Sequence, residues 1–153
     1  MASEHRTKPV IDIMLVEDNP ADARLTREAL RESGVPTRLH HVSDGEQALD
    51  FLNRCNGFDG SPRPDIILLD LNLPRMDGRD VLRELKSDPK LMTIPVVVLT
   101  TSEAEEDIIR SYELHANCYV QKPVDLDKFL KILGLIENFW LSTVRLPPAP
   151  PGA

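Results

Sequence analysis

At 153 residues the chain is sized for one domain, long enough to bury roughly two-thirds of its unfolded surface around a single core. Hydrophobic residues make up 41% and charged residues 28%, and no apolar run nears the ~20 residues needed to cross a bilayer, which excludes a spanning helix. With 18 lysines and arginines against 25 aspartates and glutamates, the net charge of −7 repels phosphate backbones and disfavours nucleic-acid binding.

Residues 1–8 form a polar N-terminal arm without the apolar stretch of a signal peptide, so a cytoplasmic protein is expected, with Cys55 and Cys118 as reduced thiols. The run Val10-Ile11-Asp12-Ile13-Met14-Leu15-Val16 is β-branched and aliphatic, as in a strand buried on both faces. A helix follows from Pro20 to Ser33, with Asn19 as its cap and Gly34 at its left-handed end. Next come a weaker strand, Thr37 to Val42, and a helix from Asp44 to Arg54. Ile66-Ile67-Leu68-Leu69 and Val96-Val97-Val98-Leu99 repeat the buried-strand pattern, followed by helices from Asp77 to Ser87 and Ser102 to His115. A last strand, Cys118 to Lys122, leads into a long helix from Asp125 to about Thr143. Residues 145–153 hold four of the 13 prolines, which marks a tail that is extended or disordered. Five βα units in series imply an α/β fold, an open doubly wound five-stranded parallel sheet with helices on both faces and strand order 2-1-3-4-5.

In such a sheet chemistry gathers beyond the carboxyl ends of the strands. Those ends carry Glu17-Asp18, Asp70, Thr100-Thr101-Ser102 and Lys122-Pro123. Three carboxylates crowded together repel one another unless a hard cation enters, and oxygen donors of this kind suit Mg²⁺. With the metal and Lys122 supplying positive charge, a carboxylate oxygen of Asp70 is placed to attack a phosphoryl group. Taken singly each aspartate is more simply a helix cap or turn residue. It is their convergence with Lys122 that outweighs this reading.

The set, Glu17-Asp18, then Asp70 with Pro74 and Asp77-Gly78, then Thr100, then Lys122-Pro123, resembles the receiver domain of two-component response regulators over residues 9–144, a flavodoxin-like (βα)5 fold. The resemblance implies that Asp70 accepts a phosphoryl group from a partner's phosphohistidine. It implies that Asp18, Asp70 and the backbone carbonyl of Asn72 ligate Mg²⁺, with Glu17 acting through water. Thr100 and Lys122 would hold phosphoryl oxygens, Tyr119 with Thr100 would form an aromatic switch, and Lys122-Pro123 would be a cis bond. Thr101 stands where the family more often has a smaller residue. The texture of Ser111 to Val120, Val124-Asp125-Leu126 and Phe139-Trp140 resembles the small response regulators partnered with bacterial and cyanobacterial phytochromes, which are light-responsive sensor histidine kinases.

At about 100° per residue, Leu126, Phe129, Leu130, Leu133, Ile136, Trp140 and Val144 make one stripe of the last helix that should face the sheet. Ile132, Leu135 and Phe139 form a second apolar patch, read as a homodimer interface unless the Pro-rich tail folds over it. His5, His40, His41 and His115 lack metal-site spacing, and adjacent His40 and His41 on a strand point to opposite faces. The chain thus reads as a single-domain phosphoacceptor rather than an enzyme, signalling by altered docking, with a phosphorelay intermediate or a non-phosphorylated pseudo-receiver adaptor as alternatives. An aspartyl phosphatase would need a second acid where Asn72 stands. A flavin-binding module would need a hydroxyl-rich phosphate loop in place of Glu17-Asp18-Asn19-Pro20.

Overall fold

The computed structural model describes residues 10–152. Residues 1–9, the N-terminal arm and His5 among them, lie outside the described residues, as does Ala153. Strands β1 (Ile11–Val16), β2 (Thr37–Val42), β3 (Ile66–Leu69), β4 (Val96–Thr100) and β5 (Cys118–Gln121) alternate with helices α1 (Pro20–Glu32), α2 (Gly45–Asn53), α3 (Gly78–Ser87), α4 (Glu105–Glu113) and α5 (Leu126–Glu137). All strand pairs are parallel and the order is β2-β1-β3-β4-β5, the winding expected from the sequence.

Alternation along the strands divides the core, because successive side chains leave a strand on opposite faces. Met14, Val16, Ile67, Leu69, Val96 and Val98 pack on one face with Phe51 of α2 and Leu82 and Leu85 of α3. Ile13, Leu15, Ile66, Leu68 and Val97 pack on the other with Ala23 and Leu30 of α1, while Leu99 meets Phe129 and Leu133 of α5. Capping side chains set the helix starts: Asn19 accepts from Ala21 and Asp22, Asp44 from Gln47, Asp77 from Arg79 and Asp125 from Lys128. Helix α4 has no such cap and begins at Glu105, three residues later than Ser102, because the Ser102 hydroxyl donates instead to Asp107 at 2.6 Å.

The C-terminal region differs from expectation in three respects. Helix α5 ends at Glu137 and continues as a π-helical turn, Asn138–Thr143. Its buried stripe is narrower than the periodicity suggested: Phe129 and Leu133 are buried and Ile136, Trp140 and Val144 pack beside them, but Leu126 and Leu130 are exposed. They sit at the flank of a stripe centred on Phe129 and Leu133, beyond the width that the sheet covers. The tail has no helix or strand past Arg145, yet Leu146 is buried in the cluster that holds Trp140 and Val144. Its single large apolar side chain anchors it there.

Every peptide bond among the described residues is trans, Lys122-Pro123 included, which corrects the cis expectation. Trans is the isomer an X–Pro bond favours by about 0.5–1 kcal/mol. At the sheet edge, Arg38 and His40 of β2 both reach Asp12, at 2.9 and 2.8 Å. His41, on the opposite face of the strand, places its Nε2 2.7 Å from the Glu17 carbonyl. No helix among the described residues is long and apolar enough to cross a membrane.

Candidate functional site

Each parallel strand delivers its next residue to the same edge of the sheet. The Glu17 N–H extends the ladder by donating to Val42 O at 3.0 Å, and the Asp70 N–H donates to Val16 O at 3.1 Å, so the two carboxylates are fixed side by side by backbone pairing. The Lys122 N–H donates to Thr100 O at 2.7 Å and holds the lysine beside them on the far side. Asp18 is exposed, and Glu17, Asp70 and Lys122 are buried.

The Lys122 ammonium donates to Glu17 Oε1, to Asp70 Oδ2 at 3.1 Å and to Asp22 Oδ2 at 3.0 Å. Asp22 had no part in the site read from the sequence, where a carboxylate in the first turn of a helix is accounted for by the helix dipole. The other Asp70 oxygen, Oδ1, accepts from the Asn72 N–H at 3.1 Å. Glu17 Oε2 accepts from Asn19 N–H. These groups, with Pro20 and Thr101, line an open cavity of about 370 Å³, room enough for a phosphoryl group.

Burial raises the Glu17 pKa to about 7, a shift that the Lys122 hydrogen bond and charge oppose and that the Asp70 charge reinforces. Burial works to lower the Lys122 pKa, but Glu17, Asp70 and Asp22 together hold it above its ordinary value. One ammonium cannot balance this many carboxylates in a buried site, so one of them gains proton affinity. A divalent cation would relieve the same imbalance. Carboxylate oxygens of Glu17, Asp18 and Asp70 lie within 4.8 Å of one another, a hard-donor set of the kind that Mg²⁺ and Mn²⁺ take. The residues present fit such an ion.

Thr100, at the end of β4, is buried, and its hydroxyl accepts from the Ser102 N–H at 3.4 Å. Thr101 rather than Thr100 lines the cavity. The Tyr119 hydroxyl donates to Ser102 O at 2.8 Å, and the Ser102 hydroxyl joins Asp107, which Arg79 of α3 grips at 2.6 Å while also binding Asp77. The site edge is thereby tied through the β4–α4 loop to Tyr119 and to the start of α3. Ile132, Leu135 and Phe139 lie on α5 and its π-helical extension, away from this edge; Leu135 is 68% and Phe139 51% exposed.

The match to known proteins decides the family. Residues 13–134 match the model of the response regulator receiver domain. The chain belongs to that family. Response regulator Rcp1 of Synechocystis sp. is 53% identical over 137 residues, which cover 90% of this chain and 93% of the relative. The FilR2 protein of Methanothrix harundinacea, described as a probable methanogenesis regulatory protein, is 41% identical over 88% of the chain and 86% of its own length. Among solved structures, the Mn²⁺-bound form of Rcp1 superposes with a TM-score of 0.89 at 51% identity, covering 90% of this receiver chain and 99% of Rcp1. The phosphorylated cyanobacterial phytochrome response regulator RcpA does so with a TM-score of 0.88 at 53% identity and the same coverage. This receiver domain is thus related to phytochrome response regulators and has their fold.

Proposed function

We propose that this response regulator accepts a phosphoryl group on Asp70 from the phosphohistidine of a sensor histidine kinase of phytochrome type. The observation that carries the reading is the Asp70 carboxylate lining an open cavity, with one oxygen on Lys122 and with Glu17 and Asp18 alongside. Its likeness to RcpA, a phosphorylated phytochrome response regulator, supports the choice of donor.

An Asp70 oxygen attacks the phosphorus, the new O–P bond forms as the N–P bond breaks, and the electron pair of that bond stays on the departing imidazole nitrogen. Lys122 donates to one equatorial oxygen and the Thr100 hydroxyl to another. Asp18, Asp70 and the Asn72 carbonyl would hold Mg²⁺, with Glu17 acting through a water, and the bound ion supplies positive charge against the phosphoryl oxygens. Thr100 would turn its hydroxyl toward the phosphate, and Ser102, whose N–H donates to that hydroxyl and whose carbonyl holds the Tyr119 hydroxyl, would follow. Tyr119 would then turn inward and alter the surface offered to partners. A homodimer through Ile132, Leu135 and Phe139 is part of the same reading.

Phosphotransfer from a phytochrome-type histidine kinase, assayed in darkness and in light, tests it. Light-dependent label on the wild type and none on Asp70→Asn is expected. Equal label on the Asn variant, or no label on the wild type from this kinase or from acetyl phosphate, would overturn it.

A further inference from the structure

We propose that Asp22 is a positioning residue for the phosphoacceptor site, holding the third hydrogen bond of the Lys122 ammonium until a phosphoryl oxygen takes its place; this rests on the reading of Asp70 as phosphoacceptor. An ammonium has three N–H donors and no more. Here all three are committed, to Glu17, Asp70 and Asp22. A phosphoryl oxygen can therefore bind Lys122 only by displacing one of them.

The choice among the three follows from their surroundings. The Glu17 and Asp70 side chains are 4% and 8% exposed, whereas that of Asp22 is 21% exposed. Asp70 is itself the group that carries the phosphoryl. Releasing Asp22 costs least, because its freed carboxylate is taken up by water while a freed Glu17 would be stranded. The local backbone makes Asp22 a fixed stop. Its N–H is held by the Asn19 cap at 3.1 Å, and its carbonyl accepts from the Thr26 hydroxyl at 2.8 Å. Asp22 stands outside the Glu17, Asp18 and Asp70 set that fits a metal ion, and saturating Mg²⁺ in the test keeps any change in metal affinity out of the result.

The test compares Asp22→Asn with Glu103→Gln, which removes an exposed charge near the same sheet edge, where Glu103 accepts from the Gln121 side chain. Beryllofluoride, a phosphoryl mimic, is titrated calorimetrically at saturating Mg²⁺. Asp22→Asn should bind it about fivefold more tightly, the factor expected for loss of one partly exposed competing ion pair. With acetyl phosphate as donor, the half-saturating concentration should fall by more than the maximal rate changes. In the metal-free protein the ¹⁵N resonance of the Lys122 ammonium should move in Asp22→Asn and stay in place in Glu103→Gln. Asp22→Ser, with a smaller neutral side chain, should reproduce all three results. Equal effects of the Asp22 and Glu103 changes, or weaker beryllofluoride binding in Asp22→Asn, would overturn the role of Asp22. Failure of the wild type to take label on Asp70 would instead overturn the reading beneath it.

Discussion

Gly78 lies so close to Asp70 that a methyl group on its α-carbon would stand 2.3 Å from the Asp70 carbonyl oxygen and 2.6 Å from the Leu71 α-carbon. The Gly78 N–H also donates to Leu71 O at 2.9 Å, so the start of α3 is locked against the segment that carries Asp70. Both atoms in the way are backbone, and the strand behind them is fully buried. Gly78→Ala should destabilise the domain by about 1–3 kcal/mol in urea unfolding and reduce acetyl-phosphate labelling of Asp70. A variant as stable and as readily labelled as the wild type would contradict this packing.

Mg²⁺ should stabilise the folded domain, because only folding gathers its ligands. At a hundredfold excess over the dissociation constant the gain is about 2.7 kcal/mol. Asp18→Asn should remove most of the Mg²⁺-dependent rise in melting temperature. His115→Asn, at an exposed left-handed position that Asn tolerates, should leave it intact. Equal metal responses in the two variants would place the site elsewhere.

The anchored tail buries Leu146 beside Trp140 and Val144, yet Leu135 and Phe139 stay exposed, so this fold-back does not cover the second patch of the last helix. If two copies meet there, each fully buried side chain contributes about 1.5–3 kcal/mol, and Leu135→Asp sets like charges against each other in an apolar seam. Sedimentation should show wild-type dimers and Leu135→Asp monomers that still take label on Asp70. Wild-type monomers at micromolar concentration, phosphorylated or not, would rule the interface out.

Glu137 closes α5 with its Oε1 buried and without a hydrogen-bond partner among the described residues, lining a cavity with Ile13, Leu30 and Trp140. Burial first, then the charge of Glu32, raises its pKa from an ordinary 4.5 to about 7. The folded state then holds a proton that the unfolded chain releases, so stability is lost as pH rises from about 4.5 through 7. Glu137→Leu should melt higher than the wild type at pH 8 and show a shallower fall from pH 5 to 8. Glu17 shifts in the same direction, so the slope is reduced rather than abolished. An unchanged slope would count against the Glu137 contribution.

The central strands were readable because a strand buried on both faces has almost no alternative composition: Ile66–Leu69 is apolar at every position and so can only be interior. Residues at strand ends follow from that frame, which is why Glu17, Asp70 and Lys122 could be placed on one edge without coordinates. Asp22 could not. Its contact with Lys122 spans 100 residues, and locally it is an ordinary first-turn acid. Leu126 and Leu130 misled for a related reason, since helical period gives the direction of a side chain but not the width of the surface waiting for it. Leu146 escaped notice because the prolines around it describe the backbone's stiffness and say nothing of where one leucine finds cover.

The pairing of Arg38 and His40 with Asp12 bears on what the end of the sheet can accept. Strand β2 ends the sheet, and the unpaired N–H and C=O groups along an end strand are a template onto which a strand from another molecule can add, the first step towards fibrils. An incoming strand would have to pack beside Arg38 and the two imidazoles. Asp12 pins Arg38 and His40 in place, and the opposite end strand, β5, offers only four residues. Both ends of the sheet thus carry features that disfavour strand addition from another molecule.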